Sequence, residues 1–87
     1  MSIINKPDNP NAYNNRASSR MSLNDFSGAM RDYDSALKLN PYYADGYKNR
    51  GVSRFNQKDV TGACEDWKRA SELGNTQAGE LVQGYCR

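Results

Sequence analysis

Apolar and small side chains recur every three to four residues in five stretches of the chain, and polar clusters separate these stretches. In the first stretch Tyr13, Ala17 and Met21 follow one another at i, i+4 and i+8, the spacing of one face of an α-helix. The alternation of apolar and polar residues that marks a half-buried strand does not persist in any part of the sequence. The pattern therefore predicts an all-α protein with helices at about 10–22, 26–39, 42–56, 60–73 and 76–86.

Helix-capping residues stand at the predicted boundaries. Asn9, Asp25 and Asp59 each precede an apolar-periodic stretch, where a side-chain oxygen can accept from a free backbone N–H of the first turn. Pro41 both breaks the second helix and suits the start of the third. Gly74 fits the left-handed position that closes a helix.

The chain repeats itself after 34 residues. Residues 13–39 and 47–73 align without a gap, and 11 of these 27 positions are identical, which is far above chance for one fixed offset. The shared residues include Tyr13 and Tyr47, the Asn-Arg pairs that follow them, and the aligned alanines. A period of 34 indicates a stacked helix–turn–helix repeat.

The order of residues within each unit resembles the tetratricopeptide repeat family, over about residues 10–86. Each unit opens Tyr-x-Asn-Arg followed by Ala17 or Gly51, an opening similar to that of bacterial-type repeats. The resemblance implies two repeats at about 10–43 and 44–77 and a C-terminal capping helix at about 76–86, which together form a right-handed α-solenoid fragment. The domain would span 10–87, after a polar N-terminal lead at 1–9. The second unit departs from the family at its end, where Leu73-Gly74-Asn75 replaces the expected Leu-Asn-Pro.

Small and large residues alternate in a way that predicts how the helices pack. Glycine inside a helix costs about 0.5–1 kcal/mol relative to alanine, so we expect Gly51 to permit a close helix crossing against Ala63. Tyr33 and Trp67 are the large aligned residues that we expect to fill the space between successive hairpins.

Two arginines and two aspartates recur at the same interval. We expect Arg16 to pair with Asp32 and Arg50 with Asp66, or Arg50 to reach across the repeat boundary to Asp32, since a guanidinium fits a carboxylate with two hydrogen bonds. The alternative is that the arginines bind an acidic ligand.

The charge and hydropathy of the chain argue against nucleic-acid binding and against membrane association. The net charge of +2 is too small to argue for nucleic acid or an anionic membrane as partner. No apolar run approaches the ~18 residues of a membrane span, and the N-terminal residues lack the apolar region of a signal peptide. We therefore expect no membrane insertion and a cytoplasmic location.

The chain has two cysteines, Cys64 and Cys86, and no histidine. Two thiols are too few for a four-ligand zinc site, and their spacing is not that of a C-x-x-C motif. We expect two reduced thiols, as is usual in a cytoplasmic protein; the alternative is a disulfide that ties down the last helix.

The sequence lacks the motifs of an enzyme. It has no histidine base, no nucleophile elbow and no glycine-rich phosphate loop. Asp32-x-Asp34 has neither the glycine nor the distal glutamate of a calcium loop. We therefore expect no catalytic site, no metal site and no cofactor.

The family resemblance implies a ligand groove on the concave side, lined by the opening helix of each unit. Transferred residue by residue, the groove positions are Asn14, Asn15, Ser18, Met21, Lys48, Asn49, Val52, Phe55 and Gln83. Asn15, Asn49 and Gln83 are in register and should form a row of amides, which both donate to and accept from the backbone of an extended peptide. The clamp with which chaperone-binding members hold a C-terminal carboxylate is not expected here, because only Asn49 matches its residues.

The resulting interpretation is a protein–protein interaction module with a protein or peptide partner. One alternative is a structural or self-assembly element, a homo-oligomer, because the first hairpin should expose part of Tyr13, Tyr33 and Leu37. An upstream segment or a fold-back of Ile3 and Ile4 would cover the same surface. Binding of single-stranded nucleic acid is a further alternative, but the groove lacks a basic stripe with stacking aromatics.

Overall fold

The computed structural model describes residues 9–86, which form five α-helices joined by short turns and contain no strand. The helices are α1 (Pro10–Ser22), α2 (Phe26–Leu39), α3 (Ala44–Asn56), α4 (Val60–Glu72) and α5 (Thr76–Tyr85). The predicted all-α class and the number of helices are confirmed.

Side-chain caps begin four of the five helices. Asn9, Asp25, Asp59 and Asn75 each accept a hydrogen bond from the backbone N–H three residues further on, at 2.8 to 3.1 Å. Each cap satisfies one of the N–H groups that the first turn leaves free. The caps predicted from the sequence at residues 9, 25 and 59 are therefore confirmed.

The start of α3 differs from the prediction, because the helix begins at Ala44 and not at residue 42. The Asn40 side chain accepts from the Tyr42 N–H at 3.1 Å, and the Asn40 carbonyl accepts from the Tyr43 N–H at 3.1 Å. This local turn keeps Pro41 outside the helix and makes Tyr43 its N-cap. Asparagine side chains compete with helix formation in this way.

The helices pack as two hairpins with a fifth helix on the end. α1 packs on α2 and α3 on α4, α2 and α3 join the hairpins, and α5 covers α4. Alanines at the crossings are fully buried, and Tyr33 and Trp67 are the two largest fully buried side chains. Both aromatics are buried as expected. Trp67 lies between the second hairpin and α5, whereas Tyr33 packs with Ala17, Ala29 and Met21 of its own hairpin, and its expected place between the hairpins stays a prediction.

Two of the three residues that the sequence predicted to be partly exposed on the first hairpin are buried. Tyr33 and Leu37 are only 2% and 7% exposed, and Tyr13 is half-buried. A Cβ built on Gly46 of α3 would lie 3.0 Å from Leu37 Cδ2, so α3 covers this part of α2. Leu37 therefore faces the second hairpin, whereas Tyr33 packs against Ala17 and Met21 of α1. The expected fold-back of Ile3 and Ile4 lies outside the described residues.

Replacing Gly51 by alanine is expected to lower the free energy of unfolding by about 1–3 kcal/mol. The added Cβ would lie 2.6 Å from Trp67 Nε1 and 3.1 Å from the Ala63 carbonyl oxygen. The ring cannot turn away freely, because its Nε1–H donates to the Lys48 carbonyl at 3.1 Å. The predicted close crossing at Gly51 is present, with Trp67 nearer than Ala63.

Gly84→Ala is the matched control, since nothing lies within 4 Å of a Cβ at that position. It should raise stability by a few tenths of a kcal/mol through helix propensity. Urea unfolding followed by circular dichroism measures both variants. A stabilised Gly51→Ala variant would show that the crossing is looser than the structure has it.

Candidate functional site

Side-chain hydrogen bonds join α1 to α3 along one face of the molecule. Asn49 Nδ2 donates to Asn14 Oδ1 at 3.0 Å, and the Tyr43 hydroxyl donates to Asn11 Oδ1 at 2.6 Å. We call the surface formed by these residues, together with the groove positions predicted above, the α1–α3–α5 face. Hydrogen bonds between amide and hydroxyl groups thus fix the spacing of α1 and α3 on this face.

The same face continues from α3 to α5. Lys48 Nζ donates to Gln77 Oε1 at 2.8 Å, and Asn75 Nδ2 donates to Asp45 Oδ1 at 2.9 Å. Lys48 and Asp45 are the ionised side chains of this face among the described residues of α3, and each has an amide partner. The face therefore presents hydrogen-bonding groups with little net charge.

The predicted groove residues divide by exposure into two sets. Asn15, Ser18 and Gln83 are exposed, which leaves their polar groups open to a ligand. The others are half-buried: Asn14, Met21, Lys48, Asn49, Val52 and Phe55.

The apolar members of the predicted groove also support the core. Met21 packs against the cluster of Ala17, Ala29 and Tyr33. Val52 and Phe55 pack against the cluster around Trp67, with the Phe55 ring centroid 5.6 Å from that of Trp67 and 4.9 Å from that of Tyr85. A change at Phe55 would therefore alter stability as well as any binding.

The amide row expected from the repeat register is only partly reproduced. Asn49 bonds to Asn14, which lies one residue before the in-register Asn15. Sequence reasoning missed the bridging roles of Tyr43 and Gln77. These two residues occupy equivalent positions 34 residues apart, but they differ in type and lie outside the aligned segments, so the repeat gave no signal for either. The use of the row in ligand binding stays a prediction.

The repeated arginine–aspartate pairs are confirmed as structural contacts. Arg16 donates to Asp32 from Nε at 2.9 Å and from a terminal nitrogen at 2.8 Å, and Arg50 makes the same two bonds with Asp66 at 2.9 and 2.8 Å. Across the repeat boundary Arg50 donates to Asp34 at 2.8 Å, so the expected boundary partner Asp32 is replaced by Asp34.

The bonds with Asp66 raise the pKa of the Arg50 guanidinium above its ordinary value. Its side chain is only 18% exposed and has three bonds to carboxylates. An acidic ligand would therefore compete with partners already in place. The structure favours the structural interpretation of Arg50 over a role in binding an acidic ligand.

A second arginine, one helical turn further on, approaches each buried aspartate. Arg20 Nε lies 3.1 Å from Asp32 Oδ2, and a terminal nitrogen of Arg54 lies 3.7 Å from Asp66 Oδ2. Arg20 and Arg54 also recur at 34 residues, so the repeat contained a signal for this second contact. Both aspartates are nearly buried, which requires such partners.

Cys64 and Cys86 form a disulfide, so the expectation of two reduced thiols is wrong. Cys64 lies early in α4 and Cys86 caps the end of α5. Helices α4 and α5 pack antiparallel to each other. The two Cα atoms therefore lie 5.8 Å apart, although 22 residues separate them in sequence. This distance lies within the range that a disulfide requires.

Residues 9–86 contain no group of three or more histidine, cysteine, aspartate or glutamate side chains arranged to hold a metal ion. None of the five described helices is both long and apolar enough to cross a membrane.

Comparison with known proteins identifies a known repeat in the first part of the chain. Residues 10–43 match the family model of the tetratricopeptide repeat. A comparison with curated protein sequences gave no match.

Among solved structures, the chain is similar to the first TPR of Spaghetti (RPAP3) bound to the HSP90 peptide SRMEEVD, with a TM-score of 0.80 and 33% identity. The match covers 88% of this chain but only 63% of the other. The similarity to bacterial-type repeats stays a prediction. Residues 10–43 therefore match a tetratricopeptide repeat, and the chain as a whole is similar to a solved TPR structure.

Proposed function

We propose that this protein is a protein–protein interaction module whose α1–α3–α5 face binds an extended protein or peptide segment. The observation that carries the proposal is the line of hydrogen-bonding side chains along this face, with exposed Asn15, Ser18 and Gln83 beside it. Amides and hydroxyls both donate and accept, which suits the backbone groups of an extended chain. The similar TPR structure contains a bound peptide, which supports the same class of ligand.

The charge of the face favours a neutral segment over an acidic one. The two ionised side chains of α3 on this face, Lys48 and Asp45, are engaged with Gln77 and Asn75 at 2.8 and 2.9 Å. Arg50 is bound to Asp66 and Asp34. The peptide SRMEEVD contains three acidic residues, so it should bind this chain weakly compared with a neutral peptide of equal length.

Selection from a random peptide library displayed on phage, followed by anisotropy measurements with the selected peptides, tests the proposal. The double variant Asn15→Ala/Gln83→Ala removes two exposed amides that make no contact with the core clusters. It should weaken binding about tenfold or more, which corresponds to about 1.4 kcal/mol. SRMEEVD serves as the acidic comparison probe.

Arg31→Gln/Lys38→Gln is the matched control, because both side chains are exposed and lie on α2, outside the proposed face. Its affinity should equal that of the unchanged protein. Equal affinities for the groove variant and the control would remove the α1–α3–α5 face as the binding surface. Tighter binding of SRMEEVD than of neutral peptides would contradict the proposed ligand chemistry.

Self-assembly stays the alternative prediction, weakened by the burial of Tyr33 and Leu37. Light scattering across a concentration series checks it, since a constant monomer mass would remove it. The cytoplasmic location also stays a prediction. The disulfide argues against it, because cytosolic reductants keep most thiols reduced.

A further inference from the structure

The two halves of α5 are held on the molecule in different ways. Its N-terminal half carries the fully buried Ala78 and the bonds from Lys48 to Gln77 and from Asn75 to Asp45. Its C-terminal half ends at the disulfide, and Tyr85 is 54% exposed. The polar anchors of the described part of α5 thus lie at one end and the covalent anchor at the other.

The last turns of α5 have weak intrinsic helix stability. The helix is only ten residues long and contains Gly79 and Gly84. Helices of this length are marginal without tertiary contacts, and each interior glycine lowers helix stability further. The C-terminal half therefore depends on its attachment to α4.

This attachment covers an aromatic cluster. The Tyr85 ring centroid lies 4.9 Å from Phe55 and 5.8 Å from Trp67, and Trp67 is only 1% exposed. Val82 and Cys86 pack against the same cluster. If the end of α5 moves away, the Phe55–Trp67 pair becomes accessible to solvent.

The disulfide itself can be reached from solvent. Both cysteines are half-buried and line a surface concavity of about 360 Å³, together with Val60, Lys68 and Tyr85. A small dithiol can enter such a space. Disulfides that are accessible to an attacking thiolate are the ones that undergo exchange.

We infer that the Cys64–Cys86 disulfide is a redox-controlled latch, whose reduction frees the C-terminal half of α5 and uncovers the Phe55–Trp67 pair. The co-reactant is a dithiol. Its thiolate attacks one sulfur and expels the other, which takes up a proton, and its second thiol then displaces the remaining cysteine. Two electrons pass to the protein, both cysteines end as thiols, and the reductant ends as a disulfide. This inference goes beyond the proposed function and does not rest on it.

Hydrogen exchange read by mass spectrometry, with and without dithiothreitol, tests the latch on the unchanged chain. Reduction should speed exchange of amides 82–86 about 10- to 100-fold, the scale expected when a cross-link of this loop length is removed. Protection in α1 to α4 should persist. Trp67 is the only tryptophan, so its emission should shift to the red in the same samples. Reoxidation should restore both signals.

The variant Cys64→Ser/Cys86→Ser provides the matched control. It should show the reduced behaviour without reductant and should not respond to dithiothreitol. Unchanged exchange at 82–86 in the reduced protein would overturn the inference, because α5 would then be held without the bond. Simultaneous loss of protection in all five helices would overturn it as well, since the disulfide would then support the whole fold and not a local latch.

Discussion

Replacing Trp67 by alanine is expected to lower the free energy of unfolding by about 3–5 kcal/mol. Trp67 is the largest fully buried side chain and contacts Gly51 in α3, Phe55 in α3 and Tyr85 in α5. Its removal leaves a cavity between three helices that small alanines cannot fill. Thermal unfolding followed by circular dichroism should show a decrease in Tm on the order of 15–30 °C for a domain of this size.

The variant Trp67→Phe separates the contribution of the buried ring to stability from the contribution of its hydrogen bond. Phenylalanine keeps much of the apolar volume but leaves the Lys48 carbonyl without the Nε1–H that donates to it at 3.1 Å. The loss should be about 1–2 kcal/mol, clearly smaller than for alanine. Similar Tm values for both variants and the unchanged protein would show that the space around Trp67 is not closely packed.

Replacing Asp66 by asparagine is expected to cost about 2–4 kcal/mol, the second largest effect. Asparagine has nearly the same size but removes the charge that holds Arg50, whose own side chain is only 18% exposed. Arg54 also loses its partner at 3.7 Å. The cost arises mainly because the Arg50 guanidinium loses its buried counter-ion and keeps only the exposed Asp34. Urea unfolding at neutral pH measures the change.

Asp34→Asn is the matched control for Asp66→Asn. Asp34 bonds to the same Arg50, but its side chain is 58% exposed. Solvent screening should limit the loss to below about 1 kcal/mol. Equal losses at positions 34 and 66 would contradict the conclusion that the buried Asp66, which pairs with both Arg50 and Arg54, contributes most of the energy of this network.

The repeat made most of the fold predictable. Residues that recur after 34 positions gave the two hairpins, their aspartate caps, the buried aromatics and the arginine–aspartate pairs. The start of α3 was misplaced by two residues, because the bonds of Asn40 to the following N–H groups depend on local turn geometry that periodicity does not contain. The predicted helix began directly after Pro41, at residue 42, whereas the turn delays its start to Ala44.

The candidate site was less predictable than the fold. The register indicated which helices line the face, but it aligned Asn49 with Asn15. The side-chain hydrogen bond of Asn49 is instead made to Asn14. Hydrogen-bond partners across two helices depend on their axial shift and rotation. A shift of one residue moves a side chain by about 100° around the helix, so the repeat alone could not decide the partner.

The sequence by itself determined the helical repeat, because small and large residues that recur at a fixed period of 34 positions are typical of stacked helix–turn–helix units. The tertiary structure decided three matters that depend on distances between helices. It buried Tyr33 against α1 and Leu37 against α3, gave Arg50 its boundary partner Asp34, and brought Cys64 to Cys86. Each is a contact between residues far apart in the chain, and only the packed arrangement of the helices sets such separations.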